Sequence, residues 1–271
     1  MKLTRFSLML GLLFLEASWG GLSGLAGESR VELIAHRGAS YDAPENTVAA
    51  FKLAWQQGAD GAECDLYLTA DQQIIACHDK TTKRTAGIEK LIAETTFQEL
   101  RTLDVGKWKS STFAGEKMPT LPELLETIPP GKKIYLEVKC GPEIVPQLIR
   151  ELHASGKPLS EMPVICFNAD VIAAVKQQQS ELPAYYLSNP EKVTASKLIA
   201  KAQEIHADGV DLKNCPEFDR DYADQVRAAG LRLDVWTVDQ TADAKRLVEL
   251  GVQGITTNRP AFLREQLSAK K

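Results

Sequence analysis

At 271 residues the chain is long enough for one large α/β domain or two small ones. Hydrophobic residues make up 44% and charged residues 25%, a balance that supports a full core and excludes a disordered or fibrous chain. The net charge is −4, with no basic arm, acidic tail or low-complexity tract, so nucleic acid is not an expected partner.

In chain order, Lys2 and Arg5 precede an apolar run over 6–15 that is short for a membrane span. Small residues follow. The pattern predicts an export signal over 1–26, cleaved near Ser18-Trp19-Gly20 or Gly24-Leu25-Ala26, with an uncleaved anchor as the alternative. The expected address is periplasmic or secreted, without stable membrane association after cleavage.

Beyond the signal, strand-like runs alternate with helical ones. The periodicity predicts a strand over 31–37 and a helix over 47–57, on which Val48, Phe51 and Trp55 share a face. A second strand over 62–68 is followed by a short hairpin return over 73–77. An irregular stretch over 79–130 holds predicted helices over 96–103 and 121–128. Strands are then expected over 133–138, 164–167, 184–187, 209–212, 231–238 and 253–257. Helices over 143–154, 170–179, 193–206, 221–229 and 242–250 separate them, with Gly230 and Gly251 where C-caps belong. Apart from the hairpin return, eight strand–helix units in succession predict a closed (β/α)8 TIM barrel. It forms a single domain over 31–267 with an elaborated loop after the second strand. An open doubly wound sheet would bring a Gly-rich phosphate loop after the first strand, and His36-Arg37-Gly38 is not one.

A barrel of this kind builds its site at the C-terminal ends of its strands. His36 and Arg37 close the first strand, and Glu63 and Asp65 alternate along the second, so both carboxylates face one side. His78 and Asp79 end the hairpin return, Glu137 and Lys139 end the strand over 133–138, and Trp236 lies near the end of the strand over 231–238. Two imidazoles, a set of hard oxygen ligands and a guanidinium suit metal-assisted phosphodiester cleavage. Each residue also has a structural reading. His36 could sit satisfied in the core, Arg37 could pair at the surface, and Glu137 with Lys139 could form a salt bridge. Trp236 is either cavity wall or barrel packing. Asp79 either orients His78 or caps a turn, the turn being the favoured reading. The Pro44-Glu45-Asn46 turn shapes the entry to the first helix, with Asn46 or Thr47 as its cap. His153 and His206 fall late in helices and read as structural. The five cysteines (64, 77, 140, 166, 215) show no zinc-site spacing and read mostly as small buried hydrophobes, with one disulfide left open.

Taken in order, HRGAS with APENT, AECD with LTAD, CHD followed by KRT, MPTLPELL, YLEVK, and VWTVD with LGVQGITTNRP resemble the glycerophosphodiester phosphodiesterase family across 31–267. The resemblance implies that Glu63, Asp65 and Glu137 hold one divalent cation, Ca²⁺ or Mg²⁺. It implies His36 and His78 as an acid–base pair and Arg37 as the phosphate-binding residue. Lys139 then adds positive charge, Trp236 contacts substrate, and the substrate is a small glycerophosphodiester. Three positions depart from the usual pattern: Cys64 between the metal carboxylates, Cys166 before Phe167, and Asp239 after Thr237-Val238. Two other readings use the same barrel. One is a phosphodiesterase for lysophospholipids or sphingomyelin, with the segment 104–113, carrying Trp108 and Phe113, as its lipid-docking loop. The other is a non-catalytic binding protein, whose signature would be a missing histidine or carboxylate.

Overall fold

The computed structural model describes residues 30–268, so the export-signal reading over 1–26 lies outside the described residues. Nine strands follow in chain order: β1 (Glu32–Ala35), β2 (Gly61–Leu68), β3 (Ile74–Ala76), β4 (Lys133–Val138), β5 (Val164–Cys166), β6 (Ala184–Ser188), β7 (Gly209–Lys213), β8 (Arg232–Trp236) and β9 (Gly254–Thr257). Eight are parallel and run in the order β1-β9-β8-β7-β6-β5-β4-β2. Pairing of Ile34 with Gly61 and Ala35 with Ala62 joins β1 to β2 and closes the ring. The expected (β/α)8 barrel is therefore the fold. β3 lies outside the ring, antiparallel to the end of β2, with Leu68 opposite Ile74.

Alternation along each strand sorts side chains into two cores. Leu33, Ala62, Cys64, Leu66, Ile134, Leu136, Leu233 and Val235 point outward into a continuous apolar layer beneath the helices. Ile34, Tyr135, Ile165, Tyr185 and Leu187 point inward and plug the barrel. Below that plug, Glu32 accepts hydrogen bonds from Lys133 Nζ at 2.6 Å and Arg232 Nη2 at 2.7 Å, which seals the floor. The C-terminal end of the barrel is left open for a site.

Helices Val48–Gln56, Leu121–Leu125, Val145–Ala154, Ala169–Gln178, Ala195–Glu204, Arg220–Ala228, Thr241–Glu249 and Pro260–Ser268 cover the outside. On the first, Ala50, Phe51 and Ala54 are buried, and half-buried Trp55 meets Phe51 edge to face at 6.5 Å. Thr47 caps it, accepting from Ala50 N. Helix Leu121–Leu125 starts with a capping box of Thr120 and Glu123. Gly230 and Gly251 take φ of 76° and 78° just past their helices, as C-caps require.

Several predicted boundaries shift. The first strand ends at Ala35 rather than at 37, because the chain turns sharply there. The helix expected over 96–103 is the single turn Phe97–Leu100. The helix expected over 121–128 stops at Leu125, ahead of Pro129-Pro130, which lack the N–H groups a helix needs. Helix Pro260–Ser268, not among the predicted helices, completes the outer layer. The elaborated loop has its own small core of Ile75, Cys77, Ile92, Leu100, Leu103, Val105 and Met118. All five cysteines are free, so none forms the disulfide left open above.

Candidate active site

The site begins where β1 ends. His36 N donates to Thr257 O of β9 at 2.8 Å, and the chain then reverses through Arg37 and Gly38, with φ of 56° and 79°. A Cβ at Gly38 would lie 2.7 Å from the backbone of Ala50, so the turn needs glycine for both its φ and its close approach. Arg37 has no such freedom. Its left-handed backbone is held by a hydrogen bond from Arg37 N to Glu63 Oε2 at 2.9 Å. The turn thus sets His36 and Arg37 over the mouth of the barrel.

β2 supplies the carboxylates. Glu63 lies opposite Tyr135 and Asp65 opposite Glu137 in the β2–β4 register, which aligns all three carboxylates on the inner face. One oxygen from each of Glu63, Asp65 and Glu137 falls within 4.8 Å of the others. Cys64 faces the outer core, so it does not disturb the set. Glu63 Oε1 and Asp65 Oδ1 are enclosed without a hydrogen-bond partner. Burial and the neighbouring charges of Asp65 and Glu137 push Glu63 well above the usual carboxylate range. Burial and Asp65 push Glu137 up to about 7. Burial would also raise Asp65, but Arg37 and Lys139 outweigh it and leave that group below its ordinary value. Three crowded carboxylates with unpartnered oxygens are a hard-oxygen donor set, and they fit a divalent cation of the Ca²⁺ or Mg²⁺ type.

Around them runs a frame of cations and amides. Arg37 Nε lies 3.3 Å from Asp65 Oδ2, and Arg37 Nη1 donates to Glu45 Oε1 at 3.1 Å. Arg84 joins Glu45 to Asp79, its Nη2 2.7 Å from Glu45 Oε1 and its Nε 2.7 Å from Asp79 Oδ2. Lys139 Nζ donates to Glu137 Oε1 at 2.7 Å and lies 3.5 Å from Asp65 Oδ1. The salt bridge is therefore present, and it sits inside the site. Asn46, in the left-handed region at φ 56°, grips Asp65 twice: Nδ2 donates to Oδ2 at 2.8 Å, and Oδ1 accepts from Asp65 N at 3.2 Å.

Each histidine has one nitrogen anchored. Asn258 donates through N and Nδ2 to Asp239 at 2.8 and 2.7 Å. Only its Oδ1 is left to face His36 Nδ1, at 2.8 Å. That network assigns the proton to Nδ1 and leaves His36 Nε2 as an acceptor, 4.0 Å from Glu63 Oε2. Burial, with Arg37 alongside, pushes His36 down to about 4, so the ring is neutral near pH 7. Cys77 N donates to Asp65 O at 2.9 Å, and this places the next residue, His78, beside the carboxylates. His78 Nδ1 is 2.7 Å from Asp79 Oδ1, so Asp79 orients the histidine rather than merely capping a turn.

These groups open on a cavity of about 180 Å³. His36, Arg37, Glu63, His78, Glu137 and Lys139 form its polar side, and Asp65 stands behind them. Ile165, Phe167, Leu187 and Trp236 form the apolar side. Trp236 meets Phe167 edge to face at 5.6 Å while its Nε1 donates to Asp211 O at 3.4 Å, so it is both wall and packing. All eight predicted site residues converge here. Sequence reasoning gave no site role to Glu45, Asn46, Arg84 and Asn258, although each lies inside a quoted motif, and it treated Asp239 only as a departure. His153 bonds Gln179 through Nε2 at 3.0 Å and takes no part in the site. In the proposed lipid-docking segment Trp108 is exposed. Its Nε1 donates to Val105 O, Lys109 lies over its ring, and Lys109 Nζ donates to Ser40 O at 2.7 Å.

Such a site can hold an anion between cationic side chains, accept a proton at one imidazole and deliver one from the other. Comparison with known proteins agrees. A glycerophosphodiester phosphodiesterase of Caldanaerobacter subterraneus is 33% identical, over 85% of this chain and 95% of that protein. A glycerophosphodiester phosphodiesterase of Bacillus subtilis is 30% identical, over 95% of this chain and 94% of that protein. A phosphodiesterase of Oleispira antarctica, solved with the product sn-glycerol-3-phosphate, superposes with a TM-score of 0.81 at 28% identity, over 88% of this chain and 97% of that one. Residues 36–262 match the model of the Glycerophosphoryl diester phosphodiesterase family. That match opens on His36 and runs into the last helix, so it takes in every barrel strand after β1 and all eight predicted site residues: the chain belongs to the glycerophosphoryl diester phosphodiesterase family.

Proposed function

We propose that this chain is a cation-dependent phosphodiesterase that hydrolyses glycerophosphodiesters to glycerol 3-phosphate and an alcohol. The observation that carries the reading is the carboxylate trio, with two unpartnered buried oxygens, set beside an acceptor nitrogen of His36. Glu63, Asp65 and Glu137 would hold one Ca²⁺ or Mg²⁺, which supplies positive charge to the phosphate oxygens when bound.

The chain's own groups do the rest. Arg37 and Lys139 orient the phosphodiester through its non-bridging oxygens. His36 Nε2 takes the proton of the attacking hydroxyl, either from water or from the substrate's own glycerol, in which case water then opens the resulting cyclic phosphate to glycerol 3-phosphate. Asn258 and Asp239 keep that nitrogen free. As the bond from phosphorus to the departing alcohol breaks, His78 Nε2 delivers a proton to the alkoxide, with Asp79 holding the ring from behind. Arg84 and Glu45 keep Asp79 and Arg37 in register with each other. With the export-signal reading, the reaction takes place in the periplasm or outside the cell.

The test is a panel of glycerophosphodiesters and one lysophospholipid, assayed with added Ca²⁺ or Mg²⁺. Glycerophosphodiester turnover that vanishes in EDTA and in His36→Ala supports the reading. Turnover that survives either change overturns it, and faster turnover of the lysophospholipid moves the substrate to lipids.

A further inference from the structure

The side of the barrel facing away from the carboxylate trio holds a group that the reaction above does not use. β7 lies opposite β2 in the ring of eight strands, and from it Asp211 lines the cavity. Val210 and Leu212, its neighbours on the strand, point outward into the main core, so the pleat turns Asp211 inward. Asp211 is 1% exposed. Among the described residues no donor reaches the carboxyl, and Oδ1 is enclosed without a partner. Arg232, the cation on the adjoining strand β8, is already engaged by Asp234 at 2.9 Å and Glu32 at 2.7 Å.

An unpartnered polar group among Ile165, Leu187 and Trp236 is costly, and an apolar residue would pack there without that cost. A carboxyl in this place has to find its partner on the cavity side. A phosphate is the wrong partner by charge, and Arg37, Lys139 and the histidines place it on the other side of the cavity. Two residues further along the same face of β7, Lys213 is at the rim and pairs with Glu191 at 2.8 Å. Phe167 at the mouth is 45% exposed. On this side Asp211 is thus at the closed end of the cavity, and Phe167 and Trp236 make the apolar part of the mouth. The closed end suits the invariant glyceryl group, and the mouth suits the alcohol that varies. A hydroxyl both donates and accepts, so it can satisfy a carboxyl in either protonation state.

We propose that Asp211 recognises the glyceryl group: its carboxyl hydrogen-bonds a free glycerol hydroxyl and selects glycerophosphodiesters over phosphodiesters that lack it. The inference rests on the proposed function. The experiment compares kcat/KM for glycerophosphocholine with that for its 1-deoxy and 2-deoxy analogues, in the wild type, Asp211→Asn and Asp211→Leu. The wild type is expected to favour glycerophosphocholine over at least one analogue by roughly 10- to 100-fold. Asp211→Leu should bring the two substrates together, Asp211→Asn should keep most of the preference, and the melting temperature of Asp211→Leu should equal or exceed that of the wild type. A wild type that treats all three substrates alike overturns the proposal, whatever the variants do. Equal losses on every substrate in Asp211→Leu also overturn it, because they mark a structural role. A wild type that turns over no glycerophosphodiester fails the functional reading instead.

Discussion

Stripping the cation from the carboxylate trio should leave a fold that weakens as the pH rises. Glu137 is pushed from 4.5 to about 7, chiefly by burial and then by Asp65. A carboxyl raised in the folded state contributes stability that is complete below pH 4.5 and is lost as the pH climbs to about 7. At 1.36 kcal/mol per pH unit the loss is roughly 3 kcal/mol. For a domain of this size it corresponds to roughly 6–12 °C in melting temperature. Glu63, also raised, acts in the same direction. Asp65, lowered, changes stability only in more acidic solution. His36, pushed down to about 4, opposes Glu137, because its contribution is lost as the pH falls below 6.5. The readout is therefore a difference between melting temperatures in EDTA, wild type minus Glu137→Gln, in which the imidazole contribution cancels. That difference should fall between pH 5 and pH 8. Saturating Ca²⁺ or Mg²⁺ should restore it, because the cation binds the ionised trio. A difference that stays constant across that range, or a cation effect of equal size at both ends, would refute the reasoning.

Four further substitutions have outcomes set by the geometry. His36→Ala should lower kcat by about 10²- to 10⁴-fold, and Asn258→Ala, which frees the ring to take the wrong tautomer, by at least about 10-fold with KM little changed; steady-state kinetics near pH 7.5 checks both. Gly38→Ala forces a Cβ to 2.7 Å from the Ala50 backbone at a positive φ. It should cost more than ~1 kcal/mol in urea unfolding and should depress activity through displacement of His36 and Arg37. Phe51→Ala, at a fully buried position of the outer core, should cost about 3–5 kcal/mol by the same assay while sparing the activity that remains folded.

The barrel was legible because its strands and helices follow simple periods, and the order of the motifs placed eight site residues on one rim. What stayed hidden was whatever depends on one loop meeting another. Asn258 reaches His36 only because β9 pairs with β1, a contact between residues 222 positions apart. The sequence leaves Asn46 and Thr47 as equal candidates for the helix cap; Thr47 does the capping, and Asn46 turns to hold Asp65. Glu45 and Arg84 are 39 positions apart and look like ordinary surface charges until Asp79 and Arg37 are placed at either end of them. Boundary errors have local causes, such as the glycine turn after Ala35 and the proline pair after Ile128.

Phosphorus NMR of glycerophosphocholine incubated with the wild-type protein and Ca²⁺ or Mg²⁺ reports both turnover and the bond that breaks. The glycerol 3-phosphate resonance should appear, be lost on adding EDTA and be absent with His36→Ala. Phosphocholine as the product, or glycerol 3-phosphate formed at an undiminished rate in EDTA, would rule out a cation-dependent glycerophosphodiester phosphodiesterase.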